Sequence, residues 1–166
     1  MYVVVIGGGN VGYYLTKELL ASGHEVVVIE EDHIRARQIA DELGSIVVAN
    51  DGCEGRYQGE AGMGRADVMA AVTGDDAVNL AACQIAKMRF NVPRSIARIN
   101  DPKNEKLFRM LAIDDVVSPT RSILGVIEHE IPVHDLLHLA ELEGGGVQIV
   151  EAHIDLFGSM RADRRT

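Results

Sequence analysis

A chain of 166 residues with 47% hydrophobic and 25% charged residues has the size and make-up of one globular domain with room for a small appendage. Its net charge of −9 excludes a general affinity for nucleic-acid backbone or anionic lipid, and no apolar run approaches the ~18 residues that direct membrane insertion needs. The start lacks a basic segment followed by an apolar one and a cleavage site, which predicts a chain without an export signal, with Cys53 and Cys83 as reduced cytosolic thiols.

The first stretch, "VVVIGGGNVGYYLTKELLASGHEVVVIEED" from Val3 to Asp32, reads as strand, glycine turn, helix, strand, acid. Val3–Ile6 and Val26–Ile29 are continuous β-branched runs, the pattern of parallel strands buried on both faces. Val11, Leu15 and Leu19 share a helical stripe between them. The turn Gly7, Gly8, Gly9, Asn10, Val11, Gly12 fits G-x-G-x-x-G at the end of a strand and the start of a helix. There Gly7 permits the tight turn, Gly9 admits a pyrophosphate to the backbone and Gly12 lets the helix close on the sheet. The helix N-terminus adds unpaired N–H groups and partial positive charge. Glu30 ends the second strand, where a carboxylate accepts hydrogen bonds from ribose hydroxyls. The bland alternative is a run of structural glycines followed by a solvated acid.

Glu31 and Asp32 follow Glu30 with no Lys or Arg immediately behind them. A 2′-phosphate would meet several carboxylates, each clash costing ~4 kcal/mol at about 4 Å and an effective dielectric near 20. NADP is therefore disfavoured, while NAD(H), ADP and ATP all offer a free adenosine ribose.

The pattern then repeats. Strands are expected at Ile46–Ala49, Val68–Val72, Ile96–Ile99 and Val116–Val117, and helical stripes at Ala36, Ile39, Ala40, Leu43 and at Val78, Ala82, Ile85, Met88. Asp101-Pro102 supplies an N-cap and N1 proline for a helix carrying Leu107, Met110 and Leu111. Strand–helix alternation to about residue 118 predicts an α/β fold, a Rossmann-like doubly wound parallel sheet of six strands in the order 3-2-1-4-5-6. Asn50-Asp51, Thr73-Gly74-Asp75-Asp76 and Arg98 all fall at carboxyl ends of strands, where open α/β sheets bind ligands. Asp51 is placed at the adenine pocket and Arg98 within reach of a phosphate. Each is equally readable as a cap or surface charge, Asp75 above all.

After Pro119 a further helix carries Ile123, Leu124, Ile127 and Ile131, cut off by Pro132. Residues 132–166 hold a helical piece, the turn Gly144-Gly145-Gly146 and a strand from about Val147 to Ile154. They are fewer than the ~40 that fold alone, so the chain divides into a nucleotide-binding domain, 1–131, and a partial segment, 132–166.

Catalytic patterns are weak. Tyr13 and Lys17 have the Y-x-x-x-K spacing of short-chain dehydrogenases, but lie directly after the glycine turn, where coincidence is the better reading. His134 and His138 are spaced i, i+4 with Glu141, a pattern that suits a polar helix face better than zinc. Cys53 stands in a loop with no Cys-x-x-Cys beside it. No catalytic residue and no metal site is assigned.

Together with the opening stretch, "VTGDDAVNLAACQIAK", "IARINDPKNEKLF" and "AIDDVVSPT" give the chain a specific likeness over about residues 1–130. It resembles the RCK N-terminal (KTN) domains of the Trk/Ktr-type potassium-uptake regulatory subunits. The resemblance implies a cytoplasmic regulatory subunit held at the inner face of the membrane by its partner, a membrane-embedded potassium transporter or channel subunit. It also implies homodimers, joined through the helix near residues 120–131, that assemble into a ring whose geometry follows the bound nucleotide. In that family the ligand, NAD(H), ADP or ATP, is lined by positions that map here to Gly7, Gly9, Gly12, Glu30, Asp51 and Arg98. Asn10 is neutral where some members carry Arg or Lys against terminal phosphates. Members usually continue into a complete C-terminal RCK domain, of which "LLHLAELEGGGVQIVEAHI" looks like the beginning, so the chain is either a fragment or a member without that module. The alternative function is a small NAD-dependent oxidoreductase whose substrate site forms between subunits.

Overall fold

The computed structural model describes residues 1–131. The expected appendage, with His134, His138 and the strand near Val147, lies outside the described residues. The chain divides into two units, Met1–Val126 and Ile127–Thr166; the sheet and the helices between its strands belong to the first.

Six strands form one sheet, β1 (Tyr2–Ile6), β2 (Glu25–Ile29), β3 (Val47–Val48), β4 (Val68–Ala71), β5 (Arg94–Arg98) and β6 (Asp115–Val117). Their order is β3-β2-β1-β4-β5-β6, every pair is parallel, and the expected topology is met. Between the strands run α1 (Asn10–Ala21), α2 (His33–Leu43), α3 (Gly55–Glu60), α4 (Asp76–Phe90) and α5 (Glu105–Met110), with α6 (Pro119–Glu130) after β6. The continuous apolar runs have the expected cause. In β1, Val4 and Ile6 join the cluster containing Met69, Ala97 and Phe108, whereas Val3 and Val5 join Val26, Val28 and Val72 under Leu15 and Leu19 of α1. Successive side chains thus meet two different apolar layers.

Strand boundaries move slightly. β3 is two residues long rather than Ile46–Ala49, as an edge strand paired on one side, although the Ile46 carbonyl still accepts from Val28 N. The helix stripes move more. On α1 the deepest residues are Gly12 and Thr16, and Val11 is exposed. On α4 the buried line is Asn79, Ala82, Cys83 and Ala86, while Met88 is 80% exposed. Small side chains allow the close approach, so the large apolar ones are turned outward. Around α5, Phe108 and Ile113 are buried and Leu107, Met110 and Leu111 are exposed. Asp101 does accept from Lys103 N with Pro102 at the first position, but the first turn, Pro102–Asn104, is a 3₁₀ turn. Three residues per turn instead of 3.6 shift the phase of everything that follows. The stripe on α2 is as expected, with Ala36 and Ile39 buried.

Candidate functional site: a nucleotide cleft at the strand ends

A cavity of about 490 Å³ opens at the carboxyl ends of β1, β2, β4 and β5, the crevice at which the strand order reverses. That volume falls in the range of small-molecule clefts, ~300–1,000 Å³.

The glycine turn forms its floor. Gly7 has φ +98°, which glycine adopts freely and other residues do not. A Cβ on Gly12 would lie 1.8 Å from the Gly7 carbonyl oxygen, so α1 can begin here only with no side chain at that position. Gly9 differs: the nearest atom to a Cβ there is Arg35 Nη1 at 3.5 Å, and the space above it belongs to the cavity.

The helices that follow β1, β2 and β4 begin at this rim, and their first turns are treated differently. Asp32 caps α2, its Oδ1 accepting from Ile34 N and Arg35 N. Asp75 caps α4, its Oδ1 accepting from Ala77 N and Val78 N; the reading of Asp75 as a cap is correct, though it also lines the cavity. At α1 the N-cap is Gly9, with no side-chain cap and no acidic residue in the first turn. The first intrahelical bond is Tyr13 N to Gly9 O, 2.8 Å, which leaves the preceding amides as the orphan donors of a helix start.

Glu30 is 6% exposed. Its Oε2 accepts from Gly8 N at 2.5 Å and its Oε1 from Asp32 N at 2.9 Å. Each carboxylate oxygen keeps a further lone pair for a ligand. Gly7, Gly9, Asn10, Val11, Glu30, Glu31, Asp51, Thr73, Gly74 and Arg98 line the cavity together. Gly8 and Gly12 do not; Gly8 faces Glu30 and Ile39, and Gly12 faces its own turn. Asp51 Oδ1 also accepts from Cys53 N at 2.7 Å. Arg98 Nε is buried without a hydrogen-bond partner among the described residues, an arrangement that costs about 1–3 kcal/mol when nothing else satisfies it.

Four contributors are absent from the sequence reading. Arg35 lines the cavity from α2, on the very side that the acids Glu30, Glu31 and Asp32 are expected to close to a 2′-phosphate; Asp32 is turned to its own helix amides. Gly52 lines it from the loop after β3, where a Cβ would lie 2.4 Å from Ile6 Cγ2. Asn79, fully buried, accepts at Oδ1 from Thr73 N and Oγ1 and donates from Nδ2 to the Thr73 and Arg98 carbonyls. Gln58, equally buried, donates to the Gly52 carbonyl at 2.8 Å. The signal for Asn79 is a polar residue in phase with Ala82, Cys83 and Ala86.

The candidates for chemistry lie elsewhere. Tyr13 donates its hydroxyl to Glu42 Oε2 at 2.5 Å, and that bond, with the carboxylate charge, raises its pKa. Neither Tyr13 nor Lys17 lines the cavity. Burial, then the neighbouring Asp51, pushes the Cys53 thiol up to about 11, so little thiolate exists near neutrality.

A family model described as the TrkA-N domain matches residues 3–119. The chain belongs to the TrkA-N family. Over 154 residues it is 35% identical to the Trk system potassium uptake protein TrkA homolog of Methanothermobacter thermautotrophicus, covering 93% of this chain and 71% of that one. It is 38% identical to Trk system potassium uptake protein TrkA of Mycobacterium tuberculosis, covering 91% and 69%. Among solved structures, this TrkA-N chain is similar to the TrkA-N domain of the inner membrane protein ybaL from Escherichia coli, with TM-score 0.72, 21% identity and coverage of 78% and 96%. It is also similar to the GsuK channel bound to NAD, with TM-score 0.66, 21% identity and coverage of 75% and 22%. At these identities the structural likeness speaks for the Rossmann-like fold. The expected kinship with Trk-type potassium-uptake proteins is thus met. No helix of the described residues is long and apolar enough to cross a membrane.

Proposed function

We propose that this TrkA-N domain is a cytoplasmic nucleotide-sensing regulatory subunit of a membrane-embedded potassium transporter or channel, taking NAD(H), ADP or ATP in the cleft. One observation carries the reading: α1 begins inside the cavity-lining glycine turn without a side-chain cap, and a buried carboxylate, Glu30, is hydrogen-bonded to the same turn. Uncapped amides are matched to a pyrophosphate, and a carboxylate with spare lone pairs is matched to a ribose.

In this reading Gly7, Gly8, Gly9, Asn10, Val11 and Gly12 form the phosphate cradle. Glu30 and Glu31 flank the adenosine ribose, and Asp51 borders the adenine. Thr73, Gly74 and Arg98 take the distal phosphate or second nucleoside. The GsuK structures described as bound to NAD and to ADP support this ligand class. Tyr13 and Lys17, the residues on which the oxidoreductase alternative leans, do not line the cleft.

Sensing requires that the ligand prefer one state of an assembly, each tenfold preference being ~1.4 kcal/mol. α6 buries none of its residues, and Ile123 and Leu124 are 58% and 49% exposed. A second copy covering this stripe forms the homodimer, and dimers build the ring beneath the membrane partner. The domain boundary falls at residue 131, before Pro132.

A thermal-shift panel of ADP, ATP, NAD, NADH and NADPH, with assembly mass measured beside each, tests this. Stabilisation by one or more ligands with a change in mass or shape is the expected result. No stabilisation by any of them, or substrate-dependent NADH oxidation, overturns it.

A further inference from the structure

We infer that Arg35 is a second phosphate-binding cation of this cleft, closing over the pyrophosphate from the side opposite the α1 amides. The inference rests on the nucleotide reading above and adds a residue that makes the site select for phosphorylated ligands.

Three observations place it there. Arg35 Nη1 is the nearest atom to where a Gly9 Cβ would stand, at 3.5 Å, and Gly9 is the point of the turn left open to the cavity. Its charge helps to lower the pKa of Asp32, but the guanidinium makes no hydrogen bond or close ion pair with the described residues, although Glu30, Glu31, Asp51 and Asp75 line the same cavity. An exposed guanidinium that spends none of its five donors on a neighbouring side chain presents a fork shaped for bidentate phosphate.

Its position is also fixed by a chain of hydrogen bonds rather than by chance. Gly8 N donates to Glu30 Oε2, Asp32 N donates to Glu30 Oε1, and Arg35 N donates to Asp32 Oδ1. Taken together the three links run from the glycine turn to the first turn of α2, so the Arg35 backbone is tied to the cradle that its side chain faces. Arg98, whose Nε has no partner among the described residues, approaches from the end of β5. β5 lies two strands from β1 on the other side of the sheet from β2. The two cations therefore flank the turn, Arg35 on the adenosine side and Arg98 on the distal side. The acidic fence after β2 is neutralised where the phosphates pass.

The experiment compares wild type, Arg35→Gln and Arg35→Lys by titration calorimetry with adenosine, AMP, ADP, NAD and NADPH. Because the Arg35 side chain makes no hydrogen bond or close ion pair with the described residues, unliganded melting temperatures should agree among the three proteins. The expected result is a roughly tenfold loss of ADP and NAD affinity in Arg35→Gln, part of it recovered in Arg35→Lys, with adenosine binding unchanged. That factor is the ~1.4 kcal/mol of one exposed charge-assisted contact. Equal ADP and NAD affinities in wild type and Arg35→Gln would overturn the role of Arg35 and leave the nucleotide site standing. A loss confined to NADPH would overturn it too, placing Arg35 on a 2′-phosphate. Failure of wild type to bind any of the five would remove the site and this inference together.

Discussion

Glu30 Oε2 accepts the amide of Gly8 at 2.5 Å, so the acid expected to serve the ligand is also a structural member of the turn that would hold it. Removing it leaves the buried amide of Gly8 and the part-buried amide of Asp32 without acceptors. Glu30→Ala is expected to lower the stability of the unliganded domain by about 1–3 kcal/mol, besides abolishing the nucleotide shift. Urea unfolding without ligand reads the first effect. An unaltered midpoint would show that the Gly8 and Asp32 amides find other acceptors.

Gly9 and Gly12 separate binding from folding. A methyl group at Gly12 collides with the Gly7 carbonyl at 1.8 Å, and backbone cannot give way as a side chain can. Gly12→Ala should cost upwards of ~3 kcal/mol. At Gly9 the added methyl meets nothing closer than 3.5 Å, and Gly9→Ala should cost under ~1 kcal/mol while weakening nucleotide binding tenfold or more. Melting curves and calorimetry on the pair test the division; a fold as tolerant of Gly12→Ala as of Gly9→Ala would contradict it.

Asn79 holds two strand ends at once, Thr73 after β4 and the Arg98 carbonyl at the end of β5. Asn79→Ala should destabilise by ~2–3 kcal/mol, since buried backbone groups lose their partners. It should also weaken nucleotide binding, although Asn79 does not line the cavity. A variant that is destabilised yet binds with wild-type affinity would show that Thr73 and Arg98 are held without it.

Two aspartates that are partly withdrawn from solvent, Asp76 and Asp114, contribute to the acid limit beside the exposed cap Asp32, whose pKa is also lowered, chiefly by the Arg35 and Ile34 amides. Burial pushes the Asp76 carboxyl up, but bonds from Asn100, Asn104 and Asp101 outweigh it and bring its pKa below the ordinary 3.8. Burial likewise opposes, and Lys87 and Ser95 reverse, the shift of Asp114. For a folded pKa lowered in this way, the stabilisation is fully present above the unfolded value and is lost as pH falls through the folded one. Stability measured by urea midpoint should be level above about pH 5 and decline below the unfolded value, less steeply in Asp76→Asn. A decline beginning near neutrality would point to other groups.

The sheet is readable in the sequence because short apolar strands, β-branched over most of β1 and β2, alternate with helices, the pattern of a parallel sheet covered on both faces. The phosphate turn is readable because glycine is used there for geometry that no other residue allows. Two features are hidden. Arg35 belongs to the site through the pitch of α2, since the first turn brings it back toward Gly9; a reading confined to the residues directly after Glu30 stops short of it. Asn79 looks in sequence like a polar interruption of a helix, and its value appears only when the β4 and β5 ends stand side by side. The α1 and α4 stripes are only partly right for a common reason: Leu15 and Leu19 do pack on the sheet, but the closest approach is made through Gly12, Thr16, Ala82 and Ala86, which leaves Val11 and Met88 outside.

Asn79 bolts the Thr73 loop to Arg98, and Glu30 bolts Gly8 to Asp32. The mouth of the cleft is thus two jaws, each with its own side-chain brace, on either side of the glycine turn. A guest long enough to touch both becomes the crossbar between them, and amide exchange should slow in the two jaws together rather than one after the other. A guest that reaches only one jaw would quieten half the mouth and leave the other half breathing.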